Sequence, residues 1–221
     1  MVVGEPGGNE TIALKFKSTN AGNSRVFLAL IHHPVYNRNS QVIATSITNL
    51  DLHDIARIAA TYNIERYFVV HPLSVQQQLA TEIINYWQQG AGAGYNQDRR
   101  KAFECLQLAV SLEAVIENIT STYGRKPLTV VTDARVHPNT TSYQLLRQRL
   151  TETSENYLLI FGTGWGLEKS LIEQADYVLE PIFGRGDYNH LSVRSAVAII
   201  VDRLLGENWW ANHCNHNLNM I

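Results

Sequence analysis

Residues 157–205 read YLLIFGTGWGLEKSLIEQADYVLEPIFGRGDYNHLSVRSAVAIIVDRLL. The apolar run 157–161 stops at Gly162, Gly164 and Gly166. A second run, 177–179, stops at Glu180 and Pro181. A further glycine loop then leads through Asn189, His190, Leu191 and Ser192 into a strongly apolar helix over 192–205. Glycine has no Cβ, so such loops turn tightly and lie close to a ligand. Two strands that each end in such a loop describe a binding site at the carboxyl edge of a parallel sheet.

The rest of the chain repeats the pattern. RVFLALI, residues 25–31, is a buried strand closed by His32, His33 and Pro34. Leu52, Ile55, Ala56, Ala59 and Tyr62 recur at helical spacing and predict a helix over 50–62. Strands follow at 66–70 and 128–132, and helices at 74–89, 112–122 and from Ser142. Alternating strands and helices predict an α/β fold: a parallel sheet with helices on both faces. Thr132 ends the 128–132 strand, and Asp133, Ala134 and Arg135 lie just beyond it, where such sheets bind ligands. Residues 1–24 are rich in Gly, Asn, Ser and Thr and read as a flexible arm. Residues 25–207 form the domain and 208–221 a tail.

Composition narrows the function. Across 221 residues the hydrophobic fraction is 45% and the formal net charge −2, so no global basic field marks a nucleic-acid binder. The compact basic and aromatic cluster is Tyr95, Arg99, Arg100 and Lys101, in a segment with Gly90, Gly92 and Gly94 that reads as a mobile loop. It suits RNA phosphates and bases, and equally a solvated helix start. Cys105 and Cys214, far apart, fit reduced thiols in the cytoplasm. No run is long and apolar enough to span a membrane. The paired histidines have no acidic or cysteine ligand at zinc spacing nearby. The terminal His213, Cys214 and His216 have metal-binding side chains at short spacing, but a frayed tail is the better reading, and no metal is expected.

The GTGWGL loop, 162–167, has neither the spacing of a dinucleotide fingerprint nor the Lys-Ser/Thr of a phosphate loop. A nicotinamide enzyme is therefore the weaker rival. A tight loop around adenosine fits better, with Leu167, Ile182 and Leu191 enclosing the base. On one side of the 50–62 helix, Asn49, His53 and Arg57 are spaced by four. From spacing alone they are a cap (Asn49 or Asp51) and a solvated face.

Residues 157–205, with TNLDLHDIARIAATYNIERYFVVH at 48–71, resemble SPOUT-type RNA methyltransferases. The likeness extends over about 25–207. Within that superfamily the chain is similar to bacterial domains related to the carboxyl-terminal domain of tRNA guanine-N1 methyltransferase. The resemblance implies a trefoil knot in the carboxyl half, S-adenosylmethionine as cofactor, tRNA or rRNA as substrate and a homodimer. It implies cofactor contacts at Thr132, Gly162, Gly164, Gly166, Leu167, Ile182, His190 and Leu191. It makes Asn49 a substrate contact and Arg57 a catalytic residue; Arg99 and Arg100, from the basic cluster, are the further candidate substrate contacts. A guanidinium holds its proton too tightly for unaided base catalysis, so Asp187 or His53 is the expected proton acceptor. Many ribose-methylating relatives carry a glutamate in the glycine loop. Thr163 and Trp165 stand there instead, which leaves the acceptor atom open. A knotted RNA-binding adaptor without catalysis is the alternative, favoured by the low basic charge.

Overall fold

The computed structural model describes residues 24–207. The expected amino-terminal arm, with the tail's tryptophans, His213, Cys214 and His216, lies outside them. In chain order the elements are β1 (Arg25–Ile31), β2 (Val35–Tyr36), β3 (Val42–Ile43), α1 (Asn49–Thr61), β4 (Arg66–Val70), α2 (Ser74–Gln88), α3 (Ala91–Tyr95) and α4 (Gln97–Phe103). There follow β5 (Leu106–Ala109), α5 (Leu112–Tyr123), β6 (Leu128–Thr132), β7 (Thr140–Thr141), α6 (Tyr143–Glu152), β8 (Asn156–Gly162), α7 (Lys169–Glu173), β9 (Tyr177–Leu179) and α8 (Val193–Leu205).

The main sheet has 7 strands in the order β5-β4-β1-β8-β6-β9-β7. All its pairings are parallel. β1 shows why both faces are covered. Val26, Leu28 and Leu30 point into a core shared with α1, α2, α4, α6 and α8. Phe27, Ala29 and Ile31 point into a second core with α5 and α7. An apolar residue at every position of a strand requires a layer on each side. The pair β2–β3 is a separate antiparallel ribbon.

Several boundaries differ from the sequence reading. Thr48, not Asn49 or Asp51, caps α1, its hydroxyl accepting from Asp51 N. Leu73 precedes α2 without a side-chain cap, so Ser74 is a helical residue rather than the cap. Residues 90–100 are no loop: they carry α3 and most of α4, which Asn96 caps by accepting from Arg99 N. Gly92 is buried there, and a Cβ would meet the Tyr86 and Trp87 rings at 2.7 Å. Gly92 serves packing, whereas a Cβ at Gly94 would meet nothing within 4 Å. α8 buries one stripe, Val197, Ile200, Val201 and Leu204, and leaves Val193, Ala198 and Ile199 half-buried.

Candidate active site

The carboxyl ends of β6, β8 and β9, with β2, open on one cavity of about 1430 Å³. One wall is the glycine loop after β8. β2 holds it: Tyr36 N donates to Gly166 O and Trp165 N to Tyr36 O, both at 2.9 Å. Its glycines have different reasons to be glycine. At Gly162 a Cβ would strike Leu167 N at 2.8 Å. At Gly164, with φ of 60°, it would strike Tyr36 O at 2.9 Å. At Gly166, with φ of 102°, it would meet only Arg135 Nη2, at 3.6 Å, where both residues line the cavity. Gly166 thus leaves a cradle that a side chain would fill.

The opposite wall is the segment between β9 and α8. Asn189 Nδ2 donates to Ala134 O at 2.6 Å, and Glu180 Oε1 accepts from Tyr143 N at 2.8 Å. These bonds tie it to the loop after β6 and to the start of α6. Ser192 caps α8 by accepting from Ser195 N. Phe161, Ile182, Val193, Ala196 and Ile200 supply apolar surface between the walls. Thr132 Oγ1 donates to Ile160 O at 3.0 Å, pinning the ends of β6 and β8 together.

Charges ring the cavity in pairs. Asp51 Oδ1 lies 2.8 Å from Arg194 Nη1, and Asp54 Oδ2 lies 3.3 Å from Arg194 Nε. Asp133 accepts from Arg135 at 2.7 Å and contacts His137 Nε2 at 2.9 Å. Burial would raise the Asp133 carboxyl, but the bonds from Arg135 and His137 outweigh it and hold it below the usual range. It is a fixed anion rather than a proton carrier.

Thr132, Gly162, Gly164, Gly166, Ile182, His190 and Leu191 all line this cavity. Leu167 does not. Its side chain is 1% exposed and packs in the second core, bridged to Val35, so it supports the loop from below. Asp187 is exposed in the 184–188 turn, outside the lining residues. Asn49, His53 and Arg57 are also outside it. His53 is not on a free polar face: its ring sits 5.2 Å from Trp87 and 4.8 Å from Phe103. Burial, then Arg99, lowers its pKa, which keeps the imidazole neutral. Arg99 stacks on Trp87 at 4.5 Å, beside His53 rather than in the cavity. Arg100 is exposed on α4 and likewise outside it.

The sequence reading missed Asp51, His137, Arg38 and Arg194 as cavity residues, although Arg194 stood within a segment it had marked. Asp133 lines the cavity at the ligand-binding edge where the sequence placed it. Arg38 gave no signal, because only the β2–β3 fold-back brings it to the sheet edge.

A family model described as SAM-dependent RNA methyltransferase matches residues 25–206. The chain belongs to that family. An uncharacterised Aquifex aeolicus protein is 46% identical over 186 residues, covering 84% of this chain and 91% of that one. A protein of Oleidesulfovibrio alaskensis named tRNA (guanine-N(1)-)-methyltransferase is 37% identical over 182 residues. That match takes in 82% of this chain but only 42% of the relative, so the chain spans less than half its length. Among solved structures, the SpoU methyltransferase AviRb of Streptomyces viridochromogenes, in complex with AdoMet, superposes with a TM-score of 0.53 at 14% identity. It covers 83% of this chain and 57% of that one, and shows a shared fold.

The cavity of this methyltransferase fits the family's cofactor, S-adenosylmethionine. Ile182, Leu191 and Ile200 offer apolar surface to an adenine, Gly166 leaves room beside the loop, and Glu180 offers a carboxylate to a cationic group. The nicotinamide reading falls with the family assignment. Among the described residues no group of three or more His, Cys, Asp or Glu side chains is placed to hold a metal. No described helix is long and apolar enough to cross a membrane.

Proposed function

We propose that this chain methylates a nucleotide of tRNA or rRNA, as a cytoplasmic homodimer whose carboxyl half is knotted. The observation that carries this reading is convergence. The β8 glycine loop, the end of β6 and the 182–194 segment build one cavity at the carboxyl edge of the sheet. Bound S-adenosylmethionine supplies an electrophilic methyl on a sulfonium, so the protein has to align the acceptor and remove a proton. His190 is the titratable group of the 182–194 segment that lines the cavity and faces no carboxylate partner among the described residues. We assign it the proton, in place of His53 and Asp187. Thr163 and Trp165 in the glycine loop, where a glutamate is usual for ribose methylation, favour a base as acceptor.

Threading of the chain is supported by the bonds from Asn189 to Ala134 O and from Glu180 N to Thr141 O. They run the segment before α8 against the loop that follows β6. A dimer is supported by α1. Arg57 is exposed and outside its own chain's cavity, beside Leu50, which is 59% exposed. A second copy seated on α1 and α8 would bring Arg57 to its site.

Transfer of labelled methyl from S-adenosylmethionine to total cellular RNA, followed by nucleoside analysis, tests the activity. One methylated nucleoside in tRNA or rRNA is the expected result. Binding of S-adenosylhomocysteine by calorimetry without transfer to any RNA would favour the adaptor reading. The net charge of −2 supports that second reading.

A further inference from the structure

Folding and cofactor binding leave one conspicuous side chain without a role. Trp165 is 64% exposed although it lines the cavity. Its backbone is rigidly set: N donates to Tyr36 O at 2.9 Å, between two glycines at positive φ, 60° and 102°. Leaving so large an apolar ring in water forgoes the stabilisation of burying it. An uncovered ring carried on a fixed backbone is poised to receive a flat partner.

Two further observations identify that partner. The cavity, at about 1430 Å³, exceeds the several hundred Å³ that one small ligand fills, so it has room for a base beside the cofactor. The nearby cations are also unequal. Arg135 is paired with Asp133 and Lys169 with Glu173. Arg38 lines the same cavity, is exposed, and has no carboxylate partner among the described residues. An aromatic face beside an unpaired guanidinium suits a base with its flanking phosphate.

We infer that Trp165 is the stacking platform for the acceptor nucleobase and that Arg38 holds the adjacent phosphate. This rests on the RNA-methylation reading and adds to it the residues that hold the unstacked base. Stacking is tolerant of base identity, since every base has a π-face. Trp165 therefore supplies grip, and selection of the base falls to the cavity's polar groups.

The test uses the full chain with saturating S-adenosylhomocysteine and, as separate probes, fluorescein-labelled bulk tRNA and fragmented rRNA, read by anisotropy. Trp165→Ala should weaken binding of the preferred RNA roughly ten- to a hundredfold, and Trp165→Phe should stay within about threefold of the wild type. Arg38→Ala should reduce the slope of log affinity against log salt by about one. Calorimetry should give the same S-adenosylhomocysteine affinity for all variants, and matching urea midpoints would show intact folds. Unchanged RNA binding in Trp165→Ala overturns the inference. So does lost S-adenosylhomocysteine affinity, which would assign the ring to the cofactor's adenine, and so does a wild type that binds neither RNA. A wild type that binds RNA through Trp165 but transfers no methyl would refute methylation and uphold the platform.

Discussion

Replacing Arg194 by Gln should cost this protein about 2 kcal/mol of stability. The guanidinium sits 2.8 Å from Asp51, whose side chain is 5% exposed, while Arg194 itself is 30% exposed. Removing one partner of a fully buried pair costs about 3–5 kcal/mol, because the other charge is left uncompensated. Two features reduce that figure here. Water reaches the arginine and screens it. Asp51 also keeps the Thr48 hydroxyl, which donates to Oδ2 at 2.6 Å, and its place in the first turn of α1. The helix amino terminus favours an anion by about 0.3–1 kcal/mol. For a domain of this size each kcal/mol moves the melting temperature by about 2–4 °C, so about 4–8 °C should be lost. Urea unfolding of Arg194→Gln, Asp51→Asn and the double variant measures it. The double variant should be destabilised by at least about 1 kcal/mol less than the sum of the singles, since it buries no lone charge. Additivity within about 0.5 kcal/mol would show that the pair does not join α8 to α1 energetically.

Three other outcomes follow from the site. Gly166→Ala should keep the fold at a cost of about 1–2 kcal/mol and lower S-adenosylhomocysteine affinity, whereas Gly164→Ala should shift β2 first because its Cβ meets Tyr36 O at 2.9 Å; calorimetry and urea midpoints separate the two, and equal behaviour would misplace the cradle. Burial lowers His32 from 6.5 to about 4, so the unfolded chain binds the proton first: the stabilisation is complete above pH 6.5 and is lost as pH falls towards 4, about 3 kcal/mol in all. A proton NMR titration of the His32 ring with a midpoint near 6.5 would contradict this. Arg57→Ala should leave S-adenosylhomocysteine affinity unchanged and reduce methyl transfer by tens to thousands of fold, about 2–4 kcal/mol, with Arg57→Lys recovering only part because it lacks the paired donors; wild-type turnover would remove Arg57 from the reaction.

Much of the fold could be read from pattern because β1, β4 and β8 carry apolar runs that end at Gly or His, and β6 is bracketed by Pro127 and Asp133. β5 escaped because LQLA, residues 106–109, is short and interrupted by Gln107. The 90–100 segment was misjudged because its glycines signal a turn, while Gly92 is glycine to admit the Tyr86 and Trp87 rings. In the site, the glycine loop and residues 182–194 announce themselves by close-approach chemistry within a few residues. Asp51 with Arg194 and Asp133 with His137 do not. The first pair joins residues 143 positions apart, and neither residue type is unusual where it stands. Spacing put His53 on a polar face, and packing against Trp87 and Phe103 took it off again.

The sheet order gives β8 a place between β1 and β6, and this sets a timetable for synthesis. Arg25 on β1 must wait for Asn156 on β8, so the edge of β1 that faces β8 emerges from the ribosome long before its partner exists. β6 is made earlier than β8 as well and meets it through Leu128 and Tyr157. Until then two strands built for burial expose their free edges to any other extended chain. Loop closure over that span is slow as well as late. A nascent chain of this design needs either a chaperone that masks these edges or a fast final third, and a chain broken before Asn156 leaves β1 without one neighbour and β6 without either.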